Sequence, residues 1–269
     1  MTQVKASITQ WQLLQLAISF LTRIPITLRF EVTGDHLNQA SRYFALVGLG
    51  LGLVHALVFY CLQFILPVSM CVLLVLALSL LMTGAFHEDG WADVWDGFGG
   101  GWQVSQKLNI MKDSRLGTYG AAALIIILLL KYQSLVILSD DNGVLLFAII
   151  AGQCLSRVVA TSIIFSMDYV SEDASAKVKP LAMHLSKTSL VTLLLTAALL
   201  FAATLILQLV TWQALGIITL ALVFVRLMVM HWFKRQLGGY TGDCLGAAQQ
   251  LSELSIYITL IVSMTSTAQ

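Results

Sequence analysis

Seven stretches of the chain each run for close to a bilayer's width with almost no charge, at approximately 43–66, 68–86, 119–138, 144–165, 189–211, 214–233 and 245–264. This pattern leaves few folds open. About 20 mostly apolar residues carry an α-helix across the hydrocarbon core, and a helix satisfies its backbone polar groups within a single segment there. The first two stretches are separated only by Leu66-Pro67, which reads as a tight helical hairpin. Composition agrees: 58% of the 269 residues are hydrophobic and 11% charged, whereas a soluble domain carries roughly 25% charged residues to meet water. The expected fold is therefore all-α, a polytopic transmembrane bundle of about seven spans forming one integral membrane domain over 1–269.

Ile8–Ile24 is a different object. Trp11, Leu14, Ala17, Ile18 and Leu21 follow a helical period, Gln12, Gln15 and Ser19 mark the opposite face, and Pro25 stops the run. This predicts an N-terminal amphipathic helix lying in the membrane interface, with an eighth span as the alternative. No basic segment, apolar run and small-residue cleavage site open the chain, so no cleaved signal peptide is expected.

Orientation follows from Lys and Arg, which are retained on the cytoplasmic side. Lys5, Arg23, Arg29 and Arg42 precede the first span. Lys107, Lys112 and Arg115 lie in 87–118, Lys177, Lys179 and Lys187 in 166–188, and Lys234 and Arg235 after the sixth span. Those twelve share one side of a seven-span alternation; the other three of the fifteen, Lys131, Arg157 and Arg226, are inside spans. The topology is N-in and C-out, with cytoplasmic active-site loops at about 87–118 and 234–244. The net charge of +1 and the lack of a basic arm give no sign of a nucleic-acid partner. The four cysteines have no metal-ligand or CxxC spacing and read as small buried hydrophobes.

The most informative stretch is Thr83-Gly84-Ala85-Phe86-His87-Glu88-Asp89-Gly90-Trp91-Ala92-Asp93-Val94-Trp95-Asp96-Gly97, continuing to Gly101. If the second span continues as a helix past the membrane surface, Asp89, Asp93 and Asp96 share one face. Like charges so placed repel by a few tenths of a kcal/mol per pair, and a divalent ion turns the liability into a site. Hard carboxylate oxygens suit Mg²⁺ or Mn²⁺ rather than zinc. The Gly97–Gly101 run, with Gly99 and Gly100, reads as a place where backbone amides approach a phosphate. Further on, Lys112 and Arg115 flank Asp113; Arg115 is suited to grip phosphate oxygens bidentately and Lys112 to act as a point charge. Metal-holding carboxylates followed by anion donors are what phosphoryl chemistry on a diphosphate requires.

Charges inside spans are expensive and usually pair. Glu253 and Arg226 read as members of interhelical ion pairs, Glu253 with an arginine. Arg157 reads either as such a pair or as a contact to substrate phosphate. His55 and His231 read as packed or interfacial.

Four blocks resemble the cobalamin synthase family, also called adenosylcobinamide-GDP ribazoletransferase: Phe20-Leu21-Thr22-Arg23-Ile24-Pro25, Phe86 to Gly97, Met111 to Gly120, and Gly238-Gly239-Tyr240-Thr241-Gly242-Asp243. They run in the family's order over nearly the whole chain; the first is the least diagnostic, and 166–181 carries no recognisable role. The resemblance implies an enzyme of the bacterial inner membrane, dependent on Mg²⁺. It would join adenosylcobinamide-GDP to α-ribazole or its 5′-phosphate, giving adenosylcobalamin or its 5′-phosphate and GMP. The acidic block maps onto Glu88, Asp89, Asp93 and Asp96, and the last block onto Asp243. On this basis Asp89, Asp93 and Asp96 hold the metal and Glu88 or Asp243 accepts a proton. Gly239 and Thr241 approach phosphate or ribose. Partners are the two small-molecule substrates, the lipid bilayer and, as an open option, a second copy of the chain.

Two alternatives come from the same residues. Asp93-Val94-Trp95-Asp96-Gly97 echoes the D-x-x-D-G opening of CDP-alcohol phosphotransferases, although the rest of their pattern is absent. A cation transporter would use the carboxylates as a vestibule, but its coupling groups usually sit near the midplane, between repeats.

Overall fold

A computed structural model of the protein describes residues 8–170 and 182–267; Lys5, Lys177 and Lys179 lie outside the described residues. These are all-helical. In chain order they form α1 (Gln10–Leu21), α2 (Gly34–Ala40), a 3₁₀ turn (Ser41–Tyr43), α3 (Phe44–Leu62), α4 (Val68–Thr83), α5 (Phe86–Gly100) and α6 (Val104–Lys112). There follow α7 (Thr118–Leu138), α8 (Asn142–Ile163), α9 (Lys187–Ile206), α10 (Trp212–Leu237) and α11 (Gly242–Thr267).

Six helical segments are long and apolar enough to cross a membrane, and α4 with α5 makes a seventh if that bent pair is one span. The protein is thus a multi-pass membrane protein, and the span count read from the sequence is met. The first two spans join at Pro67, whose carbonyl starts α4 by accepting from Met70 and Cys71.

Burial sorts the helices into an inner pair and an outer ring. In their apolar windows α8 is 83% and α11 67% buried, against 28% for α9 and 33% for α7 and α10. Small residues let the inner helices approach their neighbours. A Cβ added at Gly48 of α3 would lie 2.2 Å from the Gln153 carbonyl of α8, and one at Gly52 would lie 2.7 Å from Ile150 Cα. Such close backbone approach is how spans associate where lipid supplies no hydrophobic drive.

α1 is a helix with a complete capping box at Thr9 and Gln12. Its 12 residues reach about 18 Å, too short for a span. The buried face is Leu13, Leu16, Ala17 and Leu21, while Trp11 is 64% exposed. The face selected from sequence was thus partly displaced, because α1 rests on α2 and α3.

The largest departure is in 87–118, expected as a loop. It is mostly helix, and α5 is not a prolongation of α4: the two axes differ by 87°. The bend is built from two successive left-handed residues, Gly84 (φ 67°) and Ala85 (φ 54°). Gly84 ends α4 as a left-handed C-cap, and the Ala85 amide donates back to the Leu80 carbonyl at 2.9 Å. Arg23 lies across this corner, so close that a Cβ at Gly84 would collide with its guanidinium. α5 therefore turns out of the α4 direction and packs between α7 and α11.

Candidate active site

α5 is held by its aromatic residues. Trp91 donates its indole N–H to the Ala123 carbonyl of α7 at 3.1 Å. Trp95 and Phe98 make edge contacts with Trp232 of α10, and Phe98 also with Phe233. The aromatics interleaved with the carboxylates thus serve to seat a helix. The other contact, with α11, includes two places where glycine meets backbone: a Cβ at Gly90 would lie 2.9 Å from Asp243 Cα, and one at Gly246 3.1 Å from the His87 carbonyl.

This crossing brings the predicted carboxylates together from segments 150 positions apart (243 − 93). Asp89 is exposed, Asp93 and Asp243 half-buried and Asp96 buried. Burial first, then the charges of Asp243, Asp89 and Asp96, push the Asp93 carboxyl up to about 8. Among the described residues no three carboxylate, imidazole or thiol groups converge as a finished ligand shell. Such a crowd of acceptors is nevertheless short of positive charge. Asp243 begins α11, where Thr241 Oγ caps the helix by accepting from the Cys244 amide at 3.3 Å.

Asp96 has a second task. Its Oδ2 accepts from the Gly117 amide and its Oδ1 from the Gly120 amide, each at 2.8 Å. A carboxylate is thereby set on the N-terminus of α7, where the helix dipole favours negative charge. Glu88 points inward: it is buried, and Oε1 accepts from Gln250 Nε2 of α11 at 2.9 Å while Oε2 has no partner.

The expected glycine loop is the last turn of α5. The Gly101 amide bonds the Gly97 carbonyl at 3.0 Å. Cβ atoms at Gly97 and Gly99 would strike Met111 of α6 at 2.6 Å and the Tyr119 ring of α7 at 2.8 Å, and one at Gly100 would rest on Ile110 at 3.4 Å. What glycine provides here is close helix packing. Gly239 is similar: its Cβ space is filled by the Asp168 carbonyl at 2.3 Å, where the Tyr240 amide donates to that carbonyl at 3.0 Å and the Val170 amide donates to the Tyr240 carbonyl at 2.8 Å.

Lys112 ends α6 and is exposed. Arg115 is exposed and grips Asp113 through Nε and Nη2, holding the Asp113 carboxyl down at about 2. Arg157 is buried in α8, with Nη1 bonded to the Gln153 carbonyl at 2.7 Å and to its Oε1 at 2.9 Å, and Nε unpartnered.

Glu253 forms an interhelical ion pair as expected, with a different cation: Lys131 of α7 sits at 2.8 Å, both side chains almost wholly buried. Gln249, Gln153 and Tyr257 also donate to Glu253, at 3.0, 3.2 and 2.8 Å. Arg226 pairs with no carboxylate among the described residues and bonds Ser162 and Ser166 at the end of α8. His55 is buried, as expected of a packed histidine. The neighbours of Glu253 on the same face, Gly246, Gln249, Gln250 and Tyr257, went unread in the sequence, although their helical spacing marks an inner face.

A family model described as cobalamin-5-phosphate synthase matches residues 13–261. The chain is 49% identical over 255 residues to a protein of Shewanella piezotolerans named adenosylcobinamide-GDP ribazoletransferase, covering 94% of this chain and 96% of the relative. It is 47% identical over 252 residues to a Vibrio cholerae protein of the same name, covering 94% of each. No solved structure matches.

Proposed function

The chain belongs to the cobalamin-5-phosphate synthase family, and we propose that it works on the carboxylate face shared by α5 and α11. It is a membrane-embedded transferase of cobalamin synthesis that joins adenosylcobinamide-GDP to α-ribazole or its 5′-phosphate, releasing GMP. The observation that carries the site assignment is the close approach of the Asp243 backbone to Gly90, one turn before Asp93, whose carboxyl is pushed up by the charges of Asp243, Asp89 and Asp96.

Mg²⁺ suits this donor set. The ligands are hard oxygens, the Asp93 carboxyl is pushed up by like charges, and Mg²⁺ is commonly held by one or two carboxylates together with waters and substrate phosphates. Asp89 and Asp93 are its ligands, with Asp96 bracing them from the α7 terminus. When bound, the ion neutralises charge on the diphosphate and on departing GMP.

The chain's own groups do the rest. A ribazole ribose hydroxyl oxygen forms a bond to the phosphorus that stays with the corrinoid. The bond from that phosphorus to the bridging oxygen breaks, and GMP leaves with the oxygen and the electron pair. Asp243 takes the hydroxyl proton. Arg115, released from Asp113, and Lys112 contact phosphate oxygens. Thr241 shapes the α11 side of the site, Gly99 and Gly100 the α5 end, and Arg157 lies behind it, while Gly239 serves the packing against Asp168. The site faces the cytoplasm of a bacterial inner membrane, a reading that rests on the one-sided distribution of twelve basic residues.

The test is GMP release by the purified protein in proteoliposomes given adenosylcobinamide-GDP, α-ribazole and Mg²⁺. Asp93→Asn is expected to abolish it. Near-normal product from that variant would sink the site, and no GMP from the unaltered protein would sink the reaction.

A further inference from the structure

Glu88 and Asp243 are both carboxylates of the α5–α11 crossing, yet they occupy different places. Along α11 the contacts with α5 come in series. The Asp243 backbone lies against Gly90; one turn on, Gly246 meets the His87 carbonyl; one turn further, Gln250 donates to Glu88. Seven positions separate Asp243 from Gln250, about 10 Å of helix rise. On α5, Glu88 lies about 100° around the axis from Asp89. Its side chain is buried where Asp89 is exposed.

We infer that Glu88 and Gln250 are a positioning pair, which clamps α5 to α11 and so sets the separation of Asp93 from Asp243. This deepens the proposed reaction and rests on it. The clamp is itself fixed. Gln250 Nε2 also donates to Gln249 Oε1 at 2.8 Å, and Gln249 Nε2 donates to Ser156 Oγ of α8 at 2.9 Å and to Glu253 at 3.0 Å. Glu253 is held by Lys131 of α7. The α5 carboxylates are thereby referenced through one hydrogen-bonded chain to three helices, the inner α11 and α8 and the outer α7. At Gly90 and Gly246 the α5–α11 contact is glycine against backbone, which fixes distance but sets no register; a polar link supplies it.

The two roles respond differently to an isosteric change. Glutamine at position 88 keeps the acceptor that Gln250 bonds, but has no basic oxygen. A misplacement near 1 Å can cost about 10²-fold in rate, so losing the clamp is visible. The experiment compares Glu88→Gln, Glu88→Ala and Gln250→Leu in the GMP-release assay, with Mn²⁺ binding measured by electron paramagnetic resonance without substrates. Glu88→Gln is expected within about threefold of the parent kcat, with unchanged Mn²⁺ affinity. Glu88→Ala and Gln250→Leu are expected to lose at least tenfold in kcat and to bind Mn²⁺ more weakly. Their KM for α-ribazole is expected to move little.

Glu88→Gln as inactive as Glu88→Ala, with Mn²⁺ binding intact, would make Glu88 the base and overturn the inference. Full activity in Gln250→Leu would overturn it too. If Glu88→Ala does not yield a monodisperse protein, Gln250→Leu against Glu88→Gln decides. An unaltered protein that releases no GMP indicts the reaction and leaves the clamp to be judged by Mn²⁺ binding alone.

Discussion

Asp96→Asn separates what a carboxylate does for the fold from what it does for a cation. The parent side chain accepts two backbone amides at 2.8 Å, from Gly117 and Gly120, at the start of α7. Hydrogen bonds to a charged group contribute roughly 1.5–3 kcal/mol each. Asparagine keeps one acceptor, now neutral and worth about 0.5–1.5 kcal/mol. Its NH₂ group turns a donor toward the second amide. Gly120 is buried, so its orphaned N–H finds no water and costs about 1–3 kcal/mol. Relief of repulsion with Asp93 returns a few tenths of a kcal/mol. The net expectation is a loss of about 2–4 kcal/mol, equal with and without Mg²⁺. Titrating the purified protein with SDS in mixed micelles, followed by circular dichroism, measures it. Asp89→Asn is the control: that side chain is exposed and is expected to change stability little. If Asp96→Asn unfolds with the parent while Mn²⁺ affinity falls tenfold or more, the helix-capping argument is wrong and the oxygens serve the ion.

Lys131→Met strips the buried Glu253 of its counter-charge and is expected to cost about 3–5 kcal/mol. Adding Glu253→Gln should restore much of the loss, and additivity in the same SDS titration would show the pair to be uncoupled. Gly239→Ala drives a methyl group to 2.3 Å from the Asp168 carbonyl. It should lower stability by about 1–3 kcal/mol without a selective rise in KM for either substrate, and a KM effect at parental stability would restore Gly239 to the binding surface.

The spans were legible because lipid imposes a length and a polarity that few sequences satisfy by accident. The carboxylate face was legible as well, since the spacing of Asp89, Asp93 and Asp96 is a property of any helix. What carries them was not. Gly97, Gly99 and Gly100 have the composition of a loop, and only the nearness of Met111 and Tyr119 makes glycine the residue that lets a helix persist there. The cation opposite Glu253 was hidden for another reason. Helical periodicity assigns a face to each span but not which spans are neighbours, so Lys131 and Arg157 were equivalent on paper. Asp96 shows the opposite failure: a residue picked for one role was also needed for another, since capping a helix 21 positions away leaves no local signature.

The Lys131–Glu253 pair also constrains how the protein can be made. Lys131 is synthesised 122 residues before Glu253, which at about 5–20 residues per second is a delay of roughly 6–24 s. Through that interval α7 has to remain in the bilayer with a cation whose insertion costs about 2.5–3.5 kcal/mol, and its partner arrives only with the final helix. The last span therefore does more than complete the bundle. It closes an electrostatic debt left open since the middle of translation, and a ribosome stalled before α11 would leave a chain with its interior charge exposed to quality control.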